Sequence, residues 1–344
     1  MKEPTIQDIA NAAGVAVSTV SKAMHNRPGV NPKLKEKIQK IAKELGYRPN
    51  PFAQSLVFRR KGDKSAFHGT LACLLGHEQA NPLPIIPHYR TIAQGIKAHA
   101  QDLGFNVEFF WVYEPHMTGK RLDQIIRARG IPGVILLSMD ADEVDIDWKR
   151  YSCAYASHIP KEQSQVRFSF TYPDNFELMR QILRYGKNLG YTKIGLSMKQ
   201  IHDGEQQHCS SAFLAYQQDL PKKKRIPIHR WPHDNFDRDD FLKWIHVHKP
   251  DLVVSSELQA LKYLSSDGFK VPEEMGFLFH GLYGNIHQDK RLSGMYPPYE
   301  DVGAAAVDLV VGQLYRGEMG PPKRFKGVFI EPMLLDGATV KPQN

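Results

Sequence analysis

Residues 5–24 read TIQDIANAAGVAVSTVSKAM, and this stretch decides the fold of the first part of the chain. Its apolar residues recur at helical spacing in two short runs, one before Gly14 and one from Val17 to Met24. Ala10 is small enough to let two helices approach, Gly14 can adopt a tight turn, and Val20 can fill the angle between the helices. The pattern predicts a helix-turn-helix.

A third helix and a linker are predicted to follow this pair. An Asn-Pro pair supplies an N-cap and a first helical residue for a helix from Lys33 to Leu45. Two prolines, Pro49 and Pro51, then favour an extended backbone before residues 51–58. Residues 51–58 are long enough for one short helix. A helix of that length does not persist alone, because isolated helices of under a dozen residues are marginal.

The net charge of the chain lies in its first 62 residues. They hold 12 Lys and Arg against four Asp and Glu, whereas the remaining 282 residues hold 33 of each sign. A basic head on a neutral body is typical of a nucleic-acid-binding module joined to a domain that binds something else. The alternative, a generic three-helix bundle without a DNA role, is disfavoured by the small polar residues and the lysine of the second helix.

Composition limits the remaining classes of protein. A chain of 344 residues with 42% hydrophobic residues predicts two or three domains. Three widely spaced cysteines argue against a disulfide framework and for a reducing compartment. No apolar run approaches the roughly 18 residues of a membrane span, so we expect a soluble cytoplasmic protein without a membrane partner. Dinucleotide, P-loop, nucleophile-elbow and metal-ligand motifs do not occur, so we expect no enzyme, no cofactor and no metal.

The body of the chain alternates strands and helices, which predicts parallel sheets with helices on both faces. The predicted fold is an N-terminal all-α helix-turn-helix head with a hinge helix, joined to an α/β body of two doubly wound parallel-sheet subdomains. The predicted strands are Gly69–Gly76, Asn106–Val112, Gly133–Leu137, Lys193–Met198, Ile226–Trp231, Asp251–Ser255 and Met275–Phe279. The predicted helices are His88–Leu103, Lys120–Arg129, Asn175–Leu189, His208–Gln217, Arg238–His248, Leu258–Asp267 and Tyr299–Arg316.

Several short motifs of the head resemble the lactose-repressor/galactose-repressor family of bacterial transcription regulators. The resemblance implies a sequence-specific DNA-binding regulator, a repressor that binds a pseudo-palindromic operator as a homodimer. It also implies a periplasmic-binding-protein-like body with small-molecule control through its cleft. The motifs are Thr5-Ile6-Gln7-Asp8-Ile9-Ala10, Ala13-Gly14-Val15, Ser18-Thr19-Val20-Ser21-Lys22, Leu45-Gly46-Tyr47-Arg48-Pro49-Asn50 and Ala53-Gln54-Ser55-Leu56.

The same resemblance sets the expected domains. They are a helix-turn-helix domain over 1–48, a hinge helix and linker over 49–64, and an effector-binding and dimerisation domain over 65–344. The chain is expected to pass between the two subdomains near 158–165, 281–295 and 317–323. The alternative function is an α/β small-molecule-binding protein or enzyme with an incidental basic head. Salt dependence of DNA binding separates the two, because counterion release accompanies phosphate contacts.

The family's DNA-contacting residues carry over residue by residue. The resemblance implies that Leu56 is a wedge that kinks the duplex from the minor groove. One departure is Ala16, where the family has a serine or threonine N-cap. The implied base contacts are Val17, Ser18 and Lys22, the minor-groove hinge residues are Ala53 and Leu56, and the phosphate contacts are Thr5, Thr19, Ser21, His25, Tyr47 and Asn50.

The cleft departs further from the family pattern. Cys209 stands where the family has an arginine that grips sugar hydroxyls, and His280-Gly281 stands where it has an aspartate. Cysteine cannot replace the forked donor of arginine. Either the ligand differs from the usual sugar or nucleobase, or the cleft has lost its effector. The candidate effector residues are Tyr89, Ser138, Asp140, His208, Cys209, Phe236, Glu257 and His280.

Overall fold

A computed structural model describes residues 6–24, 30–45, 69–199, 207–232, 235–281 and 291–343 of the protein. The chain divides into two units between residues 68 and 69, which we call the head and the body. Each unit is described by itself. The predicted hinge and linker, residues 49–64, lie outside the described residues.

The head contains three helices, as the sequence predicts. They are α1 (Ile6–Ala13), α2 (Val17–Met24) and α3 (Pro32–Glu44). Each contributes one fully buried branched aliphatic side chain to the centre of the head, and these are Ile9, Val20 and Ile38. Burial of a side chain of this size stabilises a fold by about 1.5–3 kcal/mol.

The connections between the helices are set by single residues. Gly14 has a φ of +68°, and a Cβ placed there would meet nothing within 4 Å. A glycine is therefore favoured there by the left-handed backbone and not by lack of space. Val15 then donates its backbone N–H to the carbonyl of Ala10 at 3.1 Å. Before α3, the side chain of Asn31 accepts the N–H of Lys33 at 2.9 Å, which confirms the predicted N-cap.

The body alternates strands and helices, with a few short 3₁₀ turns between them. Its first elements are β1 (Gly69–Leu75), α4 (Pro82–Ile85), α5 (Pro87–Asp102), β2 (Phe105–Trp111), α6 (Gly119–Ala128), β3 (Gly133–Leu137), β4 (Ser152–Ala156), β5 (Ser169–Pro173) and α7 (Asn175–Asn188). They are followed by β6 (Ile194–Lys199), α8 (His208–Gln218), β7 (His229–Trp231), α9 (Arg238–His248), β8 (Leu252–Ser255), α10 (Gln259–Ser266) and β9 (Gly276–Phe279). The last elements are β10 (Gly294–Tyr296), α11 (Tyr299–Arg316), β11 (Gly327–Ile330) and β12 (Met333–Leu335).

These strands form two six-stranded sheets, in the orders β11-β5-β4-β3-β1-β2 and β12-β10-β9-β8-β6-β7. Every pair in both sheets is parallel except β10 with β12, so the predicted fold class is confirmed. The chain passes between the sheets after β5, after β10 and again between β11 and β12. Each passage lies later in the sequence than the ranges 158–165, 281–295 and 317–323 because β5, β10 and β11 extend the sheet that the chain is leaving.

Helices cover both sheets and enclose their cores. In the second sheet, one core lies under α7 and α8 and contains Ile182 and Phe213, and another lies under α9 and α10 and contains Phe241 and Leu264. Against the first sheet, α11 packs on β3, β4 and β5 and on the neighbouring helix α5. The α5–α11 contact needs Gly303, since a Cβ there would collide with the backbone carbonyl of Ile92.

Five strands of the body, β4, β5, β10, β11 and β12, are absent from the predicted set. They have three to five residues, too few for a clear pattern, and polar residues interrupt two of them. The Thr171 hydroxyl in β5 donates to the carbonyl of Val302 at 2.8 Å, and the Ser152 hydroxyl in β4 donates to that of Glu318 at 2.6 Å. Burial of these hydroxyls is possible only because distant acceptors satisfy them, which local sequence does not show.

Candidate nucleic-acid interface and ligand cleft

Helix α2 presents a small polar face opposite its buried side. Val20 and Ala23 are fully buried in the head, whereas Ser18 and Lys22 are exposed and Val17 is 38% exposed. Ser18 and Lys22 are four residues apart, so they lie on one side of the helix. A short exposed helix edge that ends in an ammonium group has the shape and chemistry of a major-groove reader.

The start of α2 lacks a side-chain cap. Ala16 precedes the helix, and its backbone carbonyl accepts the N–H groups of Thr19 and Val20 at 2.9 and 3.2 Å. Its methyl group cannot accept a hydrogen bond from the first turn, so two N–H groups depend on other acceptors. An uncapped first turn lowers the stability of α2 and leaves its positive end open to a phosphate.

The other predicted DNA contacts are placed only in part. Thr19 is half-buried in α2 beside Val20, and Ser21 belongs to the same helix. Three lysines of α3, which were not among the predicted contacts, are also exposed, and these are Lys33, Lys37 and Lys40. The remaining predicted contacts lie outside the described residues, and these are Thr5, His25, Tyr47, Asn50, Ala53 and Leu56.

The body holds a cavity of about 250 Å³ between the carboxyl ends of its two sheets. This edge is where parallel α/β sheets bind ligands, because strand ends and helix starts converge there. We call it the cleft cavity. It is lined by His88, Ser138, Ser157, Tyr172, Asn175, Ser256, His280, Gly281, Pro297 and Tyr299.

Two serines of the cleft cavity have left-handed backbones. Ser138 directly follows β3 and Ser157 directly follows β4, with φ of 52° and 53°. The conformation costs a non-glycine residue of order 1–3 kcal/mol and occurs preferentially at binding sites. Hydrogen bonds hold it: Ser138 N–H donates to Ala156 at 3.1 Å, and Ser157 N–H donates to Thr171 at 2.9 Å.

Of the residues at the two departures from the family pattern, Cys209 contacts His280, and Gly281 lines the cleft cavity. The Cys209 sulfur lies 3.0 Å from Nε2 of His280, and it also lies 3.4 Å from the carbonyl oxygen of Asn175. His280 lines the cleft cavity, whereas Cys209 is 1% exposed and lies behind it. The pair is therefore a thiol–imidazole contact at the cavity wall.

Of the eight predicted effector residues, only Ser138 and His280 line the cleft cavity, and Cys209 reaches it through His280. Tyr89 is buried, donates to the carbonyl of Gly76, and has its pKa raised to about 12 mainly by burial. Phe236 stacks on Tyr263 in the core under α9 and α10.

Two further predicted residues lie beside the cavity lining. His208 begins α8, and its ring contacts that of Phe329 edge to face. Glu257 accepts the N–H of Gln259 at 3.1 Å in the loop after β8. Neither of them belongs to the residues that line the cavity.

Asp140 joins two loops of the body and does not line the cleft cavity. Its side chain is held by His158 at 2.9 Å and by the hydroxyl of Ser164 at 3.0 Å, with Lys161 at 3.5 Å. Burial alone would raise the pKa of Asp140, but the His158 and Ser164 hydrogen bonds and the charges of His158 and Lys161 outweigh burial and lower it. The carboxylate therefore stabilises the folded loops.

We expect Asp140→Asn to lower the free energy of unfolding of the body by about 1–3 kcal/mol at neutral pH, because a buried charged acceptor is lost. The stabilisation by the carboxylate is present above its unfolded pKa of about 3.9 and is lost as the pH falls through the lower folded value. Urea unfolding near pH 7 and near pH 3 measures both, and Asp145→Asn, an exposed carboxylate nearby, is the control. Equal stabilities at neutral pH would remove this structural role.

Sequence reasoning missed most of the cavity lining. His88, Asn175 and Tyr299 lie within the first two residues of helices, and Ser157 and Ser256 directly follow strands. The predicted helices begin at His88, Asn175 and Tyr299, so these three positions could have been proposed as helix starts at the strand ends. Because β4 and β5 were not predicted, Ser157 and Tyr172 had no signal, whereas Ser256 could have been found after β8.

The described ranges contain neither a metal-binding cluster nor a membrane-spanning helix. Among these residues, no three His, Cys, Asp or Glu side chains are grouped so that they could hold a metal ion. No helix there is both long and apolar enough to cross a membrane.

Comparisons with known proteins agree with this architecture. Residues 5–50 match the family described as "Bacterial regulatory proteins, lacI family". The chain is 29% identical over 136 residues to the HTH-type transcriptional regulator DegA of Bacillus subtilis (strain 168), which is 37% of this chain and 36% of DegA. It is 23% identical over 336 residues to the HTH-type transcriptional regulator GntR of Escherichia coli (strain K12), which is 94% of this chain and 95% of GntR.

A solved structure extends the likeness to the fold of nearly the whole chain. It is the lac repressor dimer bound to operator and the anti-inducer ONPF, with a TM-score of 0.57 and 17% identity, covering 98% of this chain and 99% of that one. The matches to the first three curated relatives span only 36% to 53% of those proteins. Residues 5–50 therefore match the lacI family of bacterial regulatory proteins, and the chain shares its fold with the lac repressor structure.

Proposed function

We propose that the protein is a sequence-specific DNA-binding transcriptional regulator, a repressor, that acts on DNA in the bacterial cytoplasm and is not an enzyme. The observation that carries the proposal is the helix-turn-helix with an exposed Val17, Ser18 and Lys22 on α2. The basic balance of the first 62 residues, 12 cations against four acids, supplies the attraction to phosphates.

The proposed DNA complex contains two copies of the chain. One recognition helix reads only a few base pairs, so a site of useful length needs two heads related by a two-fold axis. The operator would then be a pseudo-palindrome. The lac repressor structure, a dimer bound to operator, supports this arrangement by likeness of fold. We further propose that Ala53 and Leu56 contact the minor groove at its centre.

The experiment that tests the proposal selects bound sites from random duplex DNA with the purified full-length protein. We expect an enriched two-fold symmetric sequence. Within that site, Lys22→Ala is expected to cost roughly 1–3 kcal/mol and to relax preference at one symmetric pair of positions, because a lysine can donate to guanine in the major groove. Lys37→Ala, an exposed lysine of α3, is the control and should not change base preference. A uniform loss for all sequences would assign Lys22 to the phosphates.

The cleft cavity is the proposed site of a small-molecule effector. Its described lining has hydroxyl, amide and imidazole groups from both sheets, and no lining residue is an arginine, lysine, aspartate or glutamate. A ligand that binds both subdomains would change their relative rotation, and such coupling changes DNA affinity by about 1–3 kcal/mol.

This lining predicts a negative result with common ligands. Ordinary monosaccharides and nucleobases at millimolar concentration should leave the melting temperature and the operator affinity unchanged, because no arginine–aspartate pair grips their polar edges. Thermal melting with a metabolite panel measures this. A melting-temperature shift with an ordinary monosaccharide that is abolished in Cys209→Ala or His280→Ala would contradict the prediction. It would show that Cys209 and His280 bind the sugar without an arginine–aspartate pair.

A further inference from the structure

A groove runs between the outer surfaces of α7 and α8, on the second subdomain of the body. Its volume is about 450 Å³, and none of its residues lines the cleft cavity. We call it the α7–α8 groove. It is lined by Phe176, Arg180, Leu183, Arg184, Lys187, Ala212, Ala215, Tyr216 and Asp219.

One wall of the α7–α8 groove is a ridge of cations. Arg180, Arg184 and Lys187 follow one another on α7 at intervals of four and three residues, so they lie on one side of the helix. The side chains of Arg180 and Arg184 are 54% and 59% exposed, and Lys187 is exposed. The ridge spans eight residues, from Arg180 to Lys187, which is about 10 Å along the helix axis.

The cations of this ridge exceed the acids within reach. Arg180 and Arg184 share a single carboxylate, Glu177, at 3.2 and 3.5 Å. Asp219 lies at the end of α8. Three cations thus face two carboxylates, and exposed ion pairs of this kind contribute only about 0–1 kcal/mol, so the guanidinium groups can exchange partners at little cost.

The floor of the groove is apolar and shallow enough for another helix. Leu183 and Ala212 are buried beneath it, and Ala215 is exposed with only a methyl group. Phe176 is 40% exposed at the first turn of α7. From Phe176 to Lys187 the groove follows α7 for about 16 Å, or three turns, which matches the contact length of a docked helix.

We propose that the α7–α8 groove docks an acidic amphipathic helix of a partner protein. The apolar side of that helix would lie on Phe176 and Ala215, with its carboxylates at intervals of four and three residues facing Arg180, Arg184 and Lys187. A second copy of this chain is disfavoured, since two copies that met groove to groove would bring two cationic ridges together.

The test uses the full-length protein and a fluorescent synthetic peptide of about five helical turns. The peptide has leucine on one side and glutamate beside it at the spacing of the ridge, and a second peptide has lysine in place of glutamate. We expect the glutamate peptide to bind and the lysine peptide not to bind.

Fluorescence anisotropy should show that R180E/R184E binds the glutamate peptide with an affinity lower by roughly tenfold or more. The control K222E/K223E changes the net charge equally at two exposed lysines and should bind as the unaltered protein does.

A second pair of variants separates docking in the groove from general attraction to charge. Ala215→Trp fills the groove without changing charge and should abolish peptide binding. Leu214→Trp alters the adjacent exposed residue, which does not line the groove, and should leave binding intact. Unchanged melting temperatures show that each variant is folded.

Three results would overturn the proposal. They are equal losses in R180E/R184E and K222E/K223E, binding that survives Ala215→Trp, and a drop in the oligomeric state of R180E/R184E without peptide. The last result would assign the groove to a second copy of the chain. None of these outcomes depends on DNA binding, so they are separate from a failure of the proposed regulator function.

Discussion

Val20→Asp is expected to unfold the head and leave the body folded. The side chain of Val20 is 0% exposed and belongs to the same buried cluster as Ile9, Ala10 and Ile38. The substitution removes a buried aliphatic group and places an unpaired carboxylate in an apolar core, which costs several kcal/mol. The whole stability of a unit of this size is roughly 2–7 kcal/mol, so the head cannot absorb that loss.

Hydrogen exchange measures this effect in each unit separately. We expect backbone amides of residues 9–44 to lose protection in Val20→Asp while those of the sheets of the body keep theirs, with loss of specific DNA binding. Val17→Asp is the matched control, because it makes the same change on the same helix at a residue that is 38% exposed. It should disturb DNA binding and leave amide protection intact. Full protection in Val20→Asp would contradict the three-helix packing of the head.

The second large effect is the salt dependence of DNA binding. Each head carries a charge excess of eight by count, and two heads would contact DNA together. A protein that makes several phosphate contacts loses affinity by about 10³–10⁵-fold between roughly 50 and 200 mM salt, because condensed counterions are released on binding. Fluorescence anisotropy over a salt series gives the slope. A slope near zero would favour the alternative, an α/β binding protein or enzyme with an incidental basic head.

The head shows how far local sequence reaches. The three helices and the roles of Ala10, Gly14 and Val20 were predicted because each is decided by neighbours within about 20 residues of the chain. Leu45 is the exception. The helical pattern places it in the core, but α3 ends at Glu44 and leaves it 42% exposed. The N–H of Leu45 still donates to the carbonyl of Ile41 at 2.9 Å, so the helical hydrogen bonding reaches Leu45 although its side chain lies at the surface.

The cleft shows where sequence reasoning stops. Asp140 follows a predicted strand and carries a carboxylate, and both features are typical of a ligand site. Its partners His158 and Ser164 are 18 and 24 residues away, on a loop that follows the unpredicted β4, and they draw it out of the cavity lining. The contact between Cys209 and His280 spans 71 residues. The contacts of Asp140 and the contact of Cys209 with His280 depend on the tertiary fold, which no local sequence pattern encodes.

The most direct test of the regulator proposal compares two DNA duplexes under one condition. The selected symmetric site and a scrambled duplex of the same composition are titrated with the full-length protein at physiological salt. We expect the selected site to bind at least about 10³-fold more tightly, as it does for specific regulators. Equal affinities for the two duplexes would contradict it, because a basic head that only attracts phosphates would not distinguish them.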